Sequence, residues 1–283
     1  MKIIKPKRVA AVILILLIIA SAYLYWGNNS ITVSNYTLSP ENLPDSFDGF
    51  RIVQISDFHN KDFGGRLVDK ITEAQPDIIV ITGDIIDSYH TDIGVSVEFA
   101  KAACEIAPVY YVTGNHEKRI AEYESFKAEI EGFGVNVLEG ECVTLSRKGD
   151  EINLVGIDDV NFFGSEIMNE HLIGFKAKLE ELAAEAQGKT SILLAHKPEY
   201  IDIYAENGFD VVFSGHVHGG QIRLPFIGGV YSPDQGLFPK YSEGVHTSGK
   251  TSMIISRGLG NSIFPFRVFN RPEMVVCDLV KEK

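Results

Sequence analysis

The chain has 283 residues, 45% of them hydrophobic, enough to bury the core of one large domain or two fused ones. Its 38 acidic against 26 basic side chains leave a net charge of −12, which excludes a surface built to neutralise many phosphates along DNA or RNA. Three cysteines, Cys104, Cys142 and Cys277, are too few and too scattered for a disulfide framework, and none has the Cys or His neighbours of a zinc site.

The N-terminal segment, residues 1–27, stands apart. Lys2, Lys5, Lys7 and Arg8 precede an uncharged apolar run from Val9 to about Trp26, and polar Asn28-Asn29-Ser30 comes next. This is the composition of a membrane-targeting segment. Its positive flank is expected to stay in the cytoplasm, which places the rest of the chain on the far side of the cytoplasmic membrane. Two fates compete. Ala20-Ser21-Ala22 fits a cleavage site, giving a secreted chain; retention gives a single-pass anchor, with Tyr23, Tyr25 and Trp26 at the membrane interface. The apolar run continues past Ala22, which favours the anchor. Residues 28–44 then read as a linker, and 45–283 as one compact catalytic-type domain.

In that domain, Arg51–Ser56 is a strand that ends on Asp57-Phe58-His59, and a helix runs from about Gly65 to Ala74. Alternation along extended chain lets Asp57 and His59 face the same way, a ready two-ligand clamp. Ile78–Thr82 is apolar or β-branched throughout and begins after Pro76, so it reads as a buried parallel strand, ending on Gly83-Asp84-Ile-Ile-Asp87. Taken alone, Asp84 is equally a turn or capping residue. A helix over Val95–Ile106 leads to the strand Val109–Val112, which ends on Thr113-Gly114-Asn115-His116-Glu117. These repeated strand, polar turn and helix units imply βαβ topology with right-handed crossovers. Past a charged helix at about Arg119–Gly132, the short strands Val135–Leu138, Cys142–Ser146 and Ile152–Gly156 suggest antiparallel pairing. A helix at about Glu170–Ala186 precedes Ser191–Ala195, which ends on His196, and Val211–Ser214 runs into Gly215-His216-Val217-His218-Gly219-Gly220. Gln221–Leu224, Thr251–Ser256 and Met274–Leu279 complete a strand-rich C-terminal part.

The strand-end residues collect into Asp57, His59, Asp84, Asn115, His116, His196, His216 and His218. They include five of the eight histidines, whereas His90, His171 and His246 fall outside the motifs and read as surface residues. In open α/β sheets ligands bind outside the carboxyl ends of the strands, where all of these lie. Carboxylate, imidazole and carboxamide donors suit Mn, Fe, Zn or Co. Besides His116 there are seven candidate ligands, too many for one ion and well matched to two that share a carboxylate.

Asp-x-His, Gly-Asp-x-x-Asp, Gly-Asn-His-Glu, a lone strand-end His and Gly-His-x-His, in that order from about Arg51 to Leu224, resemble the calcineurin-like metallophosphoesterase superfamily. The longer run Gly215-His-Val-His-Gly-Gly-Gln-Ile-Arg-Leu-Pro225 behind an N-terminal membrane segment is similar to its bacterial membrane-associated branch of YkuE- and YaeI-type phosphoesterases, and to UDP-diacylglucosamine pyrophosphatases. The resemblance implies an α/β fold, a four-layer α/β/β/α sandwich of two mixed sheets. It implies two divalent ions, manganese by preference: Asp57, His59 and His218 on the first, Asn115, His196 and His216 on the second, Asp84 bridging. His116 would serve the leaving group as the catalytic proton donor. Asp87 and Glu117 are either orienting groups or ordinary solvated carboxylates.

Arg223 is either a phosphate-holding side chain or a solvated strand arginine. Lys61, Lys118, Arg119 and Lys197 flank the ligand loops. Phe226, Phe238 and the stretch 259–267 supply apolar surface, for core packing or for a groove that admits a lipid tail. The expected activity is hydrolysis of a small or lipid-linked phosphodiester, phosphomonoester or pyrophosphate outside the membrane, without nucleic acid or an obligate protein partner. The alternatives are a metal-stabilised non-catalytic binding module and, as the specific activity, a UDP-diacylglucosamine-type pyrophosphatase.

Overall fold

The computed structural model describes residues 6–164, 170–261 and 264–282. Lys2 and Lys5 of the basic flank, and residues 262 and 263 of the apolar stretch, lie outside the described residues. In chain order the elements are α1 (Pro6–Asn29), β1 (Thr32–Leu38), β2 (Phe50–Ile55), α2 (Arg66–Ala74), β3 (Ile78–Thr82), α3 (Ile93–Cys104), β4 (Val109–Val112), α4 (Tyr123–Glu131) and β5 (Val135–Val137). They continue as β6 (Glu141–Arg147), β7 (Asp150–Gly156), α5 (Glu170–Ala186), β8 (Ser191–Leu194), α6 (Ile201–Glu206) and β9 (Val211–Ser214). Two small ribbons come next, β10 (Arg223–Leu224) with β11 (Gly228–Gly229) and β12 (Tyr231–Ser232) with β13 (Gly236–Leu237), then β14 (Gly244–Ser248), β15 (Thr251–Ile255) and β16 (Glu273–Leu279).

Two six-stranded mixed sheets form, in the orders β1-β16-β2-β3-β4-β5 and β14-β15-β9-β8-β7-β6. Strands β2 to β5 run parallel, as do β7, β8, β9 and β15. Alternation along each strand assigns its side chains to layers. Ile52, Ile78 and Val80 meet Ile152, Leu154, Ile192, Leu194, Val211 and Phe213 between the sheets. Val53, Ile55, Ile79 and Ile81 face the other way, under α2, α3 and α4. Val155, Leu193 and Val212 lie under α5 and α6, beside Phe175, Leu179, Leu182 and Tyr204. The result is the expected α/β/β/α sandwich. Because both faces of each parallel strand are buried, such strands read as unbroken apolar runs. The register sets Ile55 opposite Ile81 and Thr82 opposite Val112, so the strands end level and the turns after β2, β3 and β4 lie along one edge.

Three expectations are corrected. The segment 28–44, read as a linker, contains β1, a parallel edge strand on β16. Its TVSNYTL sequence is half polar because it is only half buried. Val135–Val137 is not antiparallel to β6; it extends the first sheet parallel to β4, and only β6 and β7 form an antiparallel hairpin in this part of the chain. The helix expected from Arg119 starts at Tyr123, because Glu117–Arg119 is a separate turn and Ile120 is extended.

α1 is long and apolar enough to cross a membrane, and the side chains from Val9 to Ile19 are exposed. Among the described residues, none of the three core clusters includes a residue of α1, so the domain from Gly27 onward holds its core without it. Its last turn is nevertheless held. Asn28 Nδ2 donates to the carbonyl of Arg267 at 3.1 Å, and Asn28 Oδ1 accepts from the Arg267 backbone N–H at 2.8 Å. The carbonyls of Asn28, Asn29 and Ser30 accept from Lys61 Nζ (2.6 Å), Arg66 Nη1 (3.0 Å) and Arg271 Nε (3.0 Å). Cations at a helix C-terminus satisfy its orphan carbonyls and offset its dipole.

Candidate metal centre

The level strand ends bring the predicted residues together. In one group, His59 Nε2 lies 3.2 Å from His218 Nε2 and 3.7 Å from Asp84 Oδ2, and His218 Nε2 lies 3.4 Å from Asp57 Oδ1. In a second group, His196 Nε2 lies 3.3 Å from Asp84 Oδ2 and 3.3 Å from His216 Nδ1. Within each group the ligand atoms fall within 4.8 Å of one another, and Asp84 belongs to both. Asn115, buried, has an Oδ1 with no hydrogen-bond partner among the described residues.

The outer contacts fix which atoms face inward. His196 Nδ1 lies 2.7 Å from the Thr82 carbonyl, which accepts only, so in the neutral ring the proton sits there and the Nε2 lone pair points into the cluster. His216 Nε2 lies 3.0 Å from Asp234 Oδ2, which turns Nδ1 inward in the same way. Two carboxylates, an orphaned carboxamide oxygen and converging imidazole nitrogens are an electron-rich set that fits divalent cations. Burial pushes the His59 ring down to about 3, which keeps it neutral as a ligand must be. Burial works to raise Asp84, but His196 and His116 beside it hold it well below the usual carboxylate range. Burial lowers His196, but Asp84 overrides it and raises the ring to about 10; a cation held there would displace that proton.

The backbone here is unusual. Asp57, His59, Asp84, His216 and His218 have φ of 49°, 49°, 51°, 70° and 47°. Left-handed conformation in a non-glycine residue costs on the order of 1–3 kcal/mol and persists only where the surroundings impose it. Here they do. Buried Glu117 accepts the backbone N–H groups of Gly114 (2.7 Å), Asp84 (3.1 Å) and Ile86 (3.2 Å), clamping the β3 and β4 turns together. Asp57 accepts the His216 N–H at 3.0 Å, and Gln54 Nε2 ties Thr82 Oγ1 to the Ser214 carbonyl across the two sheets. The glycine ahead of His216 has a steric cause: a Cβ on Gly215 would collide with Ser56 and the Asp57 carboxylate. Gly114 is required likewise by Asp84.

A cavity of about 200 Å³ opens over the cluster, lined by Asp84, Asn115, His116, His216 and His218 together with Arg119, Lys197 and Asp234. His116 Nδ1 accepts the Ser88 N–H at 3.0 Å, which leaves the proton of the neutral ring on Nε2; Asp87 Oδ1 lies 3.6 Å from Nδ1. Glu117 therefore orients loop backbone, whereas Asp87 accepts the Tyr89 N–H at 2.8 Å as an ordinary turn carboxylate does. Arg223 is corrected: it does not line this cavity, and its guanidinium is taken up by Glu243 and by the Gly219 carbonyl at 3.0 Å. Lys61 is spent on α1, and Lys118 lies over the Phe162 ring. Sequence reasoning missed Asp234, which sits in a turn with no long apolar strand before it, and Ser88. Of the remaining histidines, His90 is exposed, and His246 Nε2 contacts the Glu243 carbonyl.

A two-sheet sandwich with a shared-carboxylate His/Asp cluster at the strand ends is the architecture of a metallophosphoesterase, and the pattern of the calcineurin-like phosphoesterase family matches residues 50–220. The chain belongs to that family and is a metal-dependent phosphoester hydrolase. It is 30% identical over 266 residues to the uncharacterized metallophosphoesterase YkuE of Bacillus subtilis, covering 90% of this chain and 87% of that one. It is 23% identical over 244 residues to the phosphodiesterase YaeI of Escherichia coli, covering 83% and 84%. Among solved structures, TT1561 of Thermus thermophilus shares the fold, with a TM-score of 0.52, 14% identity and coverage of 75% and 90%.

Proposed function

We propose that the chain is a membrane-tethered binuclear phosphoesterase acting outside the cytoplasmic membrane on a small or lipid-linked phosphoester or pyrophosphate. One observation carries the reading: Asp84 belongs to both ligand groups, which is what a bridging carboxylate requires. Asp57, His59 and His218 would hold one ion, and Asn115, His196 and His216 the other. The donor set has no thiolate and suits Mn, Fe, Zn or Co, with manganese the expected pair. When bound, two such ions would supply Lewis acidity toward a phosphoryl group and bring the pKa of water toward neutrality.

The chain's own groups do the remaining work. Lys197 and Arg119 line the cavity and offset charge on the phosphoryl oxygens. His116, with its Nε2 proton left free by the Ser88 N–H, donates to the departing oxygen. An apolar cavity of about 340 Å³, lined by Val217, Ile222, Val230, Tyr231 and Phe264, shares His218 with the centre and favours a lipid-linked substrate. The tether is α1, and Lys7 and Arg8 on its near side favour a cytoplasmic N-terminus.

The test is hydrolysis of bis-(p-nitrophenyl) phosphate after metal stripping and manganese readdition, with elemental analysis of bound metal. We expect two ions per chain and metal-dependent turnover, with Asp84→Asn losing both turnover and at least one ion. One ion per chain, or Asp84→Asn still binding two, overturns the bridging assignment.

A further inference from the structure

The loops after β9 expose large apolar side chains that no soluble surface needs. Phe226 is fully exposed, and Ile227, Tyr231, Phe238 and Phe269 each expose more than half their surface. The rings of Phe264 and Phe266 lie nearby, 5.3 Å apart, tied to this region by Gln221 Nε2, which donates to the Phe264 carbonyl at 2.9 Å. Contiguous exposed apolar patches mark contact with a partner or a membrane.

Their backbone is as telling as their exposure. Phe226, Phe238 and Phe269 have φ of 69°, 56° and 51°. For a bulky residue this is a strained conformation, and here it presents rings to the outside rather than to a core.

The end of α1 identifies the occupant. Tyr23 packs on Phe269 with ring centroids 5.6 Å apart, and Phe269 lines one hollow with Leu224, Phe226 and Ile227. Trp26 lies under the Arg271 guanidinium at 4.8 Å. The patch is thus continuous with the aromatic end of the one helix among the described residues able to span a membrane, and the Asn28–Arg267 pair and three cations hold that helix at a set angle. Aromatic side chains favour the headgroup boundary of a bilayer.

We infer that these loops are a membrane-docking face, whose phenylalanines enter the boundary between headgroups and acyl chains and hold the mouth of the metal centre against the bilayer. The occupant is the lipid surface, engaged through apolar burial. With a net charge of −12 the chain is not drawn to anionic headgroups, so docking needs no anionic lipid and resists salt. The face rests on α1 crossing that membrane, as proposed above.

The single tryptophan of the chain, Trp26, makes the test direct. The full-length protein is reconstituted in phosphatidylcholine vesicles containing brominated acyl chains, with Trp26→Phe as background. In that background Phe226→Trp reports the patch, and Lys148→Trp, on the β6–β7 turn at the opposite end of the sheets, serves as control. We expect blue-shifted emission and strong quenching at position 226 and none at 148. Protein that resists carbonate extraction yet shows no quenching at 226 overturns the docking face and leaves the anchor standing. Protein released by carbonate, with the native Trp26 unquenched, overturns the anchor and the face with it. As a second readout, the fragment from Gly27 is floated with neutral vesicles in high salt. Phe226→Ser should weaken its binding about ten- to a hundredfold, the value of one buried aromatic, and unchanged binding overturns the proposal.

Discussion

His216 Nε2 lies 3.0 Å from Asp234 Oδ2, and Asp234 in turn accepts from Lys197 Nζ at 2.7 Å, so one carboxylate joins a ligand histidine to a cation lining the cavity. Those two donors hold Asp234 below the usual carboxylate range. Removing such an outer partner typically weakens metal binding by about 10–100-fold. Asp234→Ala should therefore bind the second ion that much less tightly while keeping the first, as read by equilibrium dialysis with elemental analysis. Equal retention of both ions would show that His216 keeps its orientation unaided.

His116→Gln separates proton donation from metal binding. With an alkyl leaving group, kcat should fall by about 10²–10⁴. With p-nitrophenolate, which departs without a proton, the loss should be much smaller. Metal content and KM should be unchanged in both cases. An equal loss on the two substrates would assign His116 to charge stabilisation rather than acid catalysis.

Gly215→Ala puts a methyl group against Ser56 and the Asp57 carboxylate. Overpacking of this kind costs about 1–3 kcal/mol, and a displacement of about 1 Å at a catalytic group can cost 10²-fold in rate. Loss of activity with a lowered Tm is the expected result; wild-type kinetics would mean that the Asp57 loop yields freely.

Asp158, after β7, is half-buried, and desolvation of its carboxyl pushes it up to about 7 although Thr113 Oγ1 donates to it at 2.7 Å. The folded state thus holds this proton more tightly than the unfolded chain. The stability it contributes is complete below about pH 4 and is lost as pH rises towards 7. Asp158→Asn keeps the oxygen that accepts from Thr113 and cannot ionise. At pH 8 it should be more stable than wild type, by at most roughly 4 kcal/mol from the size of the shift, and the advantage should vanish near pH 4. Denaturant unfolding at the two pH values measures it.

The metal centre was legible in the sequence to the extent that its residues cap buried parallel strands. An unbroken run such as Ile78–Thr82 has a visible end, and a carboxylate placed there stands out. Asp234 carries no such mark: Ser232-Pro233-Asp234-Gln235-Gly236 has ordinary turn composition, and its partners, His216 and Lys197, come from other loops. Arg223 misled for the complementary reason, since its neutralising partner, Glu243, lies 20 residues away. Helix α6, with six residues, is too short to show a period, and β1 is an edge strand whose polar half masks it. The left-handed backbone at five ligand positions has no sequence signature at all, because only packing imposes it.

The place of β16 in the first sheet governs how the molecule can be made. This strand, the last in the chain, lies between β1 and β2, the first two, pairing parallel with one and antiparallel with the other. Synthesis from the N-terminus presents β1 and β2 long before the strand that must separate them. The sheet cannot close on partial chains, and its most distant contacts form last. Closure of the sheet is thereby coupled to synthesis of β16, and a chain cut before Glu273 lacks the strand that joins β1 to β2.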